Sequence, residues 1–311
     1  MSDTTANQQW LFISIIVPVL NEKIMVERCL RSLLDQDYPR NHYEIIVVDN
    51  GSDDGSVGIL NKFKGDGVTV LKEEKKGSYA ARNLGIKNAK GDALALIDAD
   101  CVAQKNWLSR LAGHFSEEGV GALAGNVKAY HPQTLIERYQ QEKDSFSQDH
   151  LSRGPFGKFP ITGNAAYRKE IFERIGMFNE DFVCGDLEFA LRFRKQARYR
   201  MADAPDAIVY HQHCLDLGVL WEQRHRYGYG IRQLMGHDGS IKPFLKIPSP
   251  WVYLVVGLFY FGFIFLRGLL KNIFKRRSAG SLMTPWVDMW SEMAFRFGYT
   301  QAQSIREIKM I

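Results

Sequence analysis

Cysteine is scarce: the 311-residue chain has four, Cys29, Cys101, Cys184 and Cys214, and no two of them form a C-x-x-C pair. That excludes a zinc knuckle, a redox dithiol and a disulfide framework, and it suits a reducing compartment. The opening MSDTTANQQW has no basic stretch leading into an apolar one, so nothing there reads as a signal peptide. No G-x-G-x-x-G follows the first apolar run, against a dinucleotide dehydrogenase, and no G-x-x-x-x-G-K-[ST] occurs, against a P-loop NTPase. Repeats and low-complexity tracts are lacking too. Net charge is small: 40 Lys and Arg against 35 Asp and Glu leave +5, too little to call for nucleic acid. Acids, however, disappear between Asp238 and Asp288, where Lys242, Lys246, Arg267, Lys271, Lys275, Arg276 and Arg277 stand unopposed.

What is present is alternation. ISIIV at 13–17 is a continuous apolar run, short and β-branched, as expected of a strand buried on both faces; EIIVV at 44–48 reads as a second buried strand, and VTVL at 68–71 and ALALI at 93–97 as a third and fourth. Helical spacing separates them at 22–34, 59–63 and 78–89. The expected fold class is therefore α/β, a mostly parallel central sheet with helices on both faces and ligands bound at the carboxyl ends of its strands. Beyond it, strands are expected at 125–130, 159–167 and 207–210, and helices at 134–149, 169–174, 187–197 and about 215–234.

Three units follow from the patterning: an α/β domain at 1–235, a Gly- and Pro-rich hinge at 236–250 and a membrane-associating helical region at 251–311. WVYLVVGLFYFGFIFL, 251–266, carries no charge. Sixteen residues at about 1.5 Å each span roughly 24 Å, short of a hydrocarbon core of about 30 Å. The alternative is a buried core helix. The flanking cations favour a re-entrant or in-plane segment on anionic lipid, at the cytoplasmic face of the membrane. WVDMWSEMAFRF, 286–297, reads as a second amphipathic piece.

Polar residues gather where the parallel strands end: Pro18, Asn21 and Glu22 after the first, Asp49 and Ser52 after the second, Asp98-Ala99-Asp100 after the fourth. Turns and helix caps use the same residue types. Two carboxylates at i and i+2, though, can face one hard cation and leave room for diphosphate oxygens, as Mg²⁺ or Mn²⁺ prefers.

SIIVPVLNE, EIIVVDNGSDDGS, KKGSYAARNLGIKNAKGDALALIDAD and TGNAAYRKEIFERIGMFNEDF, in that order, resemble glycosyltransferase family 2, nucleotide-sugar transferases of the GT-A fold, over residues 14–230. The likeness is strongest to non-processive bacterial enzymes that build exopolysaccharide or other surface glycans on lipid carriers. It implies that Pro18, Asn21 and Glu22 line the nucleoside pocket, and that Asp49 reads the base with Ser52 in its turn. Gly77 and Arg82 would lie near ribose and diphosphate, and Asp98 and Ala99 in the D-x-D beside the donor. Asp100 and His211 would hold the metal, with His213 one strand period away as competitor. Gly163 and Asn164 match a loop beside the transferred sugar, and Arg226 of Q-R-H-R-Y a residue steadying the diphosphate. Asp186 matches the aspartate of an acidic E-D pair that serves as base. Gly185 replaces the glutamate, which leaves Glu188, and more distantly Glu180 or Asp181, as alternatives.

The resemblance implies inverting transfer from a nucleotide sugar, a UDP-sugar by preference, to a lipid-linked or glycan acceptor, with a divalent cation. The rival readings are a non-catalytic nucleotide-sugar-binding membrane subunit, raised by Gly185, and a sugar nucleotidyltransferase, whose glycine-rich, lysine-bearing first loop is missing from 18–22.

Overall fold

In the computed structural model, which describes residues 10–144, 146–154, 156–196, 198–237 and 280–309, ISIIVPV forms β1 (Ile13–Val19). It runs parallel to β2 (Tyr43–Asp49) on one side and to β4 (Ala93–Ile97) on the other, with β3 (Val68–Lys72) beyond β2. Alternate residues explain the continuous apolar run. Ile13, Ile15, Val17 and Val19 pack under α1 (Val26–Leu34), α2 (Ser56–Phe63) and α4 (Trp107–Phe115). Ile16, with Ile46, Val48, Leu94 and Leu96, packs under α3 (Ser78–Asn88), α7 (Lys169–Ile175) and α8 (Gly185–Gln196). Each fully buried aliphatic side chain contributes about 1.5–3 kcal/mol, so both faces must be covered. The small residues of α3 let it lie close to the sheet: a Cβ on Gly85 would stand 2.6 Å from Ile16 Cγ2.

The sheet as a whole is mixed, which corrects the expectation of a mostly parallel one. β7 (Asn164–Arg168) is antiparallel to β4, and β6 (Val120–Ala129) antiparallel to β7. β8 (Arg200–His211) is parallel to β6, and β5 (Cys101–Ala103) antiparallel to β8. The order is β3-β2-β1-β4-β7-β6-β8-β5. Residues 98–100 alone join β4 to β5, which pairs not with β4 but with β8 at the far edge of the sheet. The strand expected at 159–167 starts at Asn164, those at 125–130 and 207–210 are longer, and the helix expected at 134–149 is broken. Asp144 ends α5 (Leu135–Lys143) in a left-handed conformation, φ 49°, and Ser147 caps α6 (Gln148–Ser152) by accepting the His150 N–H at 3.1 Å. β5 and α4 went unread in the sequence, although Trp107, Leu108, Leu111 and Phe115 have helical spacing and are all buried.

The chain divides into two compact units. The first comprises residues up to Tyr130, Phe146–Glu180 and Gly185–Gln212. The second comprises His131–Ser145, Asp181–Cys184 and everything from His213; it contains α5, α9 (Leu217–His237) and α10 (Gly280–Lys309). Asp288 of α10 accepts from Tyr139 Oη and Lys143 Nζ of α5, at 2.7 and 2.8 Å. α9 and α10 cross where each presents a glycine: a Cβ on Gly228 would overlap the Phe295 carbonyl, and one on Gly298 the His225 carbonyl. The amphipathic piece read at 286–297 lies within α10, with Trp286 and Trp290 exposed and Val287, Met293 and Ala294 buried. Among the described residues no helix is long and apolar enough to cross a membrane. The apolar run and cation cluster at 251–277 lie outside the described residues, as does the expected hinge from 238 onward; its first two residues close α9.

Candidate active site

β1, β2 and β4 deliver their carboxyl ends to one edge of the sheet, because all three run parallel. After β1 the chain turns at Asn21, φ 57°, a left-handed conformation that asparagine tolerates better than most residues. The Asn21 N–H donates to Ser52 Oγ at 3.0 Å, and Asn21 Oδ1 accepts the Asp53 N–H at 2.9 Å. Glu22 N–H donates to Ser56 Oγ at 3.0 Å, completing a clasp between the loops after β1 and β2. Pro18 lies beyond the last β1–β4 pair, Ile16 with Leu96, where the strand keeps only β2 as neighbour. The Asp49 carboxylate accepts the Gly51 and Ser52 N–H groups, both at 3.2 Å, and so presents its remaining lone pairs in one orientation.

Asn50 holds the next loop. Its Nδ2 donates to the Glu73 and Lys75 carbonyls at 3.1 and 2.8 Å, and its Oδ1 accepts from Gly77 N–H at 2.7 Å. Gly77 sits at φ 131°, which favours glycine, and launches α3. Arg82 on that helix is 4% exposed, ion-paired to Asp98, and its guanidinium lies over the Tyr79 ring at 5.3 Å. Its Nε has no hydrogen-bond partner among the described residues.

Asp98 follows β4. A Cβ on Gly163 would come 3.2 Å from Asp98 Oδ2, so the glycine leaves that carboxylate its room. Ala99 is buried. Asn164 is buried too, and its amide is spent on the fold: Oδ1 accepts from Trp107 Nε1 at 2.9 Å, and Nδ2 donates to the Asn126 and Ala207 carbonyls at 2.9 Å. Asn164 thus anchors the loop in which Gly163 faces Asp98.

Asp100 meets His211 because Cys101 on β5 pairs with His211 on β8. Asp100 Oδ2 lies 3.3 Å from His211 Nε2, and the imidazole packs edge-on against Phe146 at 5.2 Å. Burial opposes the charged form of each, yet their attraction prevails. Asp100 titrates below an ordinary aspartate and His211 above an ordinary histidine. Glu22 shows what the concentration of negative charge does nearby: burial first, then Asp100, Asp98 and Asp54, push its carboxyl up to about 7, against the pull of His211. Among the described residues no three His, Cys, Asp or Glu side chains are arranged to hold one metal ion. Two protein donors, one carboxylate and one imidazole, in a field that penalises excess negative charge, nevertheless fit a hard divalent cation whose other ligands are water and phosphate oxygens.

Asp186 lies in the first turn of α8, half-buried, with Oδ1 accepting the Leu187 N–H at 2.8 Å. Burial chiefly raises its pKa; Leu187 N–H, Arg82 and Tyr79 act the other way, and Asp98 adds to the rise. Glu188, its rival two residues on, is 6% exposed and held in a two-point pair with Arg192, at 2.7 and 2.9 Å. Glu180 is engaged by Lys75 at 2.7 Å and Asn83 at 2.8 Å. Asp181, His213 and Arg226 belong to the second compact unit. The first unit therefore brings together Glu22, Asp49, Ser52, Gly77, Arg82, Asp98, Asp100, Gly163, Asp186 and His211. Sequence reading passed over Asn50 and Tyr79. The glycine at 185 was a signal for Tyr79, since a missing side chain asks what fills its space.

The family model of Glycosyl transferase family 2 matches residues 14–176. Glycosyltransferase AglE of Haloferax volcanii is 35% identical over 72% of this chain and 74% of its own. A Methanococcus voltae enzyme, dolichyl N-acetyl-alpha-D-glucosaminyl phosphate 3-beta-D-2,3-diacetamido-2,3-dideoxy-beta-D-glucuronosyltransferase, is 24% identical over 83% of this chain and 85% of its own. Among solved structures, the mannosyltransferase PcManGT from Pyrobaculum calidifontis, in complex with GDP-Man and Mn2+, superposes with a TM-score of 0.67 at 20% identity, covering 95% of this chain and 88% of that one. That likeness identifies the fold, the α/β GT-A arrangement. With a family match over more than half its length and a relative at 35% identity across most of both chains, the protein belongs to glycosyl transferase family 2.

Proposed function

We propose that this glycosyltransferase moves a sugar, with inversion at the anomeric carbon, from a nucleoside-diphosphate sugar to a lipid-linked glycan acceptor. A UDP-sugar is the first choice of donor. The observation that carries the reading is the joining, at the carboxyl edge of one sheet, of the Asp100–His211 pair, the pair of buried Arg82 with half-buried Asp98, and a half-buried carboxylate, Asp186, whose ionisation both Arg82 and Asp98 influence. A PcManGT complex with GDP-Man and Mn2+ and a relative named for a dolichyl-phosphate-linked acceptor support the donor class, the cation and the acceptor class.

In this mechanism Asp49, oriented by Gly51 and Ser52, accepts from the base, and the Asn21–Ser52 clasp shapes the nucleoside pocket. Asp98 takes the ribose hydroxyls, and Arg82 faces the diphosphate. Asp100 and His211 would hold Mn²⁺ or Mg²⁺, which when bound neutralises charge growing on the departing diphosphate. Asp186 accepts the proton of the acceptor hydroxyl as that oxygen bonds to the anomeric carbon. The bond to the diphosphate breaks with its electron pair staying on the leaving oxygen. One base and one in-line displacement give inversion. The test is incubation of purified protein and Mn²⁺ with UDP- and GDP-sugars and a prenyl-phosphate-linked glycan. The expected result is an elongated lipid-linked product of inverted configuration from one donor series; nucleotide binding without product would return the protein to a binding subunit.

The same reading places the enzyme peripherally at the cytoplasmic membrane face, held by 251–277 and the exposed tryptophans of α10, with 1–235 as catalytic domain and 236–250 as hinge. Each cation near anionic lipid contributes roughly 1 kcal/mol, screened by salt. Full-length protein is expected to float with anionic liposomes at low salt, and a chain ending at Met235 to stay behind. Equal flotation of both would locate the apolar segment in the protein core.

A further inference from the structure

Gly185 occupies the position where the family resemblance calls for a glutamate, and the structure shows what stands in that space. A Cβ on Gly185 would meet three atoms of the Tyr79 ring, Cε2, Cδ2 and Cζ, at 2.7, 2.9 and 2.9 Å. No residue larger than glycine fits while the ring is there. Tyr79 is 8% exposed, and its ring is backed by Phe178, centroid to centroid 5.5 Å, so it has little freedom to swing aside. Phe178 in turn packs on Phe189 of α8 at 4.6 Å. The ring, projecting from α3, is therefore held against Phe178 and the start of α8.

Its hydroxyl is placed accordingly. The Asp186 N–H donates to Tyr79 Oη at 3.0 Å, which leaves the phenolic proton to be given to the Asp186 carboxylate. The same ring lies under the Arg82 guanidinium. We infer that Tyr79 is a positioning residue for transfer, its ring taking the volume of the absent glutamate and its hydroxyl holding the Asp186 carboxylate in place for the acceptor hydroxyl. The inference rests on the reading of Asp186 as base.

Other ionisable groups acting on Asp186 are Arg82 from α3, Asp98 after β4 and the buried Tyr167 of β7. Removing one oxygen from Tyr79 leaves all three side chains in place, although the hydroxyl also acts on Arg82. Tyr79→Phe keeps the ring against Gly185 and deletes only the hydroxyl, so the fold survives. A hydrogen bond to a carboxylate favours its ionised form, so its loss makes Asp186 harder to deprotonate. The expected result is a kcat reduced about tenfold, a donor KM within twofold of wild type, and an acid limb of the kcat–pH profile moved to higher pH. Asp186→Asn, measured alongside, separates the two layers of the argument. Wild-type kcat and an unmoved limb in Tyr79→Phe, with Asp186→Asn inactive, would overturn the role of Tyr79 and leave the base assignment standing. An active Asp186→Asn would remove the base assignment and this inference with it.

Discussion

Asp186→Asn is expected to lower turnover by about 10²–10⁴ while donor affinity stays near wild type, because the change is nearly isosteric and removes only the proton acceptor. The amide keeps an oxygen for the Leu187 N–H, so α8 should start as before. Glu188→Gln should behave differently. That carboxylate is buried and doubly bonded to Arg192, which also donates to the Ile175 and Met177 carbonyls at 2.6 and 2.8 Å. Weakening this network lowers stability, and the folded fraction retains its chemistry. If Glu188→Gln is the inactive folded variant, the base has been placed two residues too early. The pH profile gives a second check. A base works when deprotonated, and burial holds the pKa of Asp186 above an ordinary aspartate. Activity should therefore fall, as pH is lowered, at a pH above the usual aspartate range. An acid limb at or below that range would contradict the assignment.

Asp100→Ala is expected to cost about 10²–10³ in kcat or more, and chelation by EDTA to do the same to wild type. The carboxylate sits on a turn at the end of a strand, and among the described residues its charged partner is His211 at 3.3 Å, so the fold should persist. Deleting Asp100 also removes one of the negative charges that raise the Glu22 carboxyl. Loss of activity should therefore come without collapse of the clasp around Glu22. Full turnover in EDTA, or an Asp100→Ala variant that transfers at the wild-type rate, would sink the cation from this mechanism.

Much of this was legible in the amino-acid order. β1, β2 and β4 show as short, almost continuously apolar runs, because burial on both faces leaves little place for alternation, whereas β3 at the sheet edge is half-exposed. Parallel order then sends 18–22, 49–52 and 98–100 to one edge, so local patterning alone brings these strand-end residues together. The later half was less legible. β7, β6, β8 and β5 join by contacts between residues far apart in the chain, antiparallel except between β6 and β8, and no local period announces such neighbours. The pairing that sets His211 beside Asp100 rather than leaving the role to His213 is a matter of register between β5 and β8, more than a hundred residues apart. The choice between Asp186 and Glu188 was likewise tertiary: both open the same helix, and only packing shows Glu188 consumed by Arg192 and Asp186 faced by Tyr79. By itself the sequence determined the family, the parallel half of the sheet and the strand-end carboxylates, because periodicity and turn chemistry act between near neighbours. Tertiary structure alone decided which histidine and which acid are available and why position 185 is glycine, because those answers depend on volume and hydrogen-bond partners supplied from distant parts of the chain.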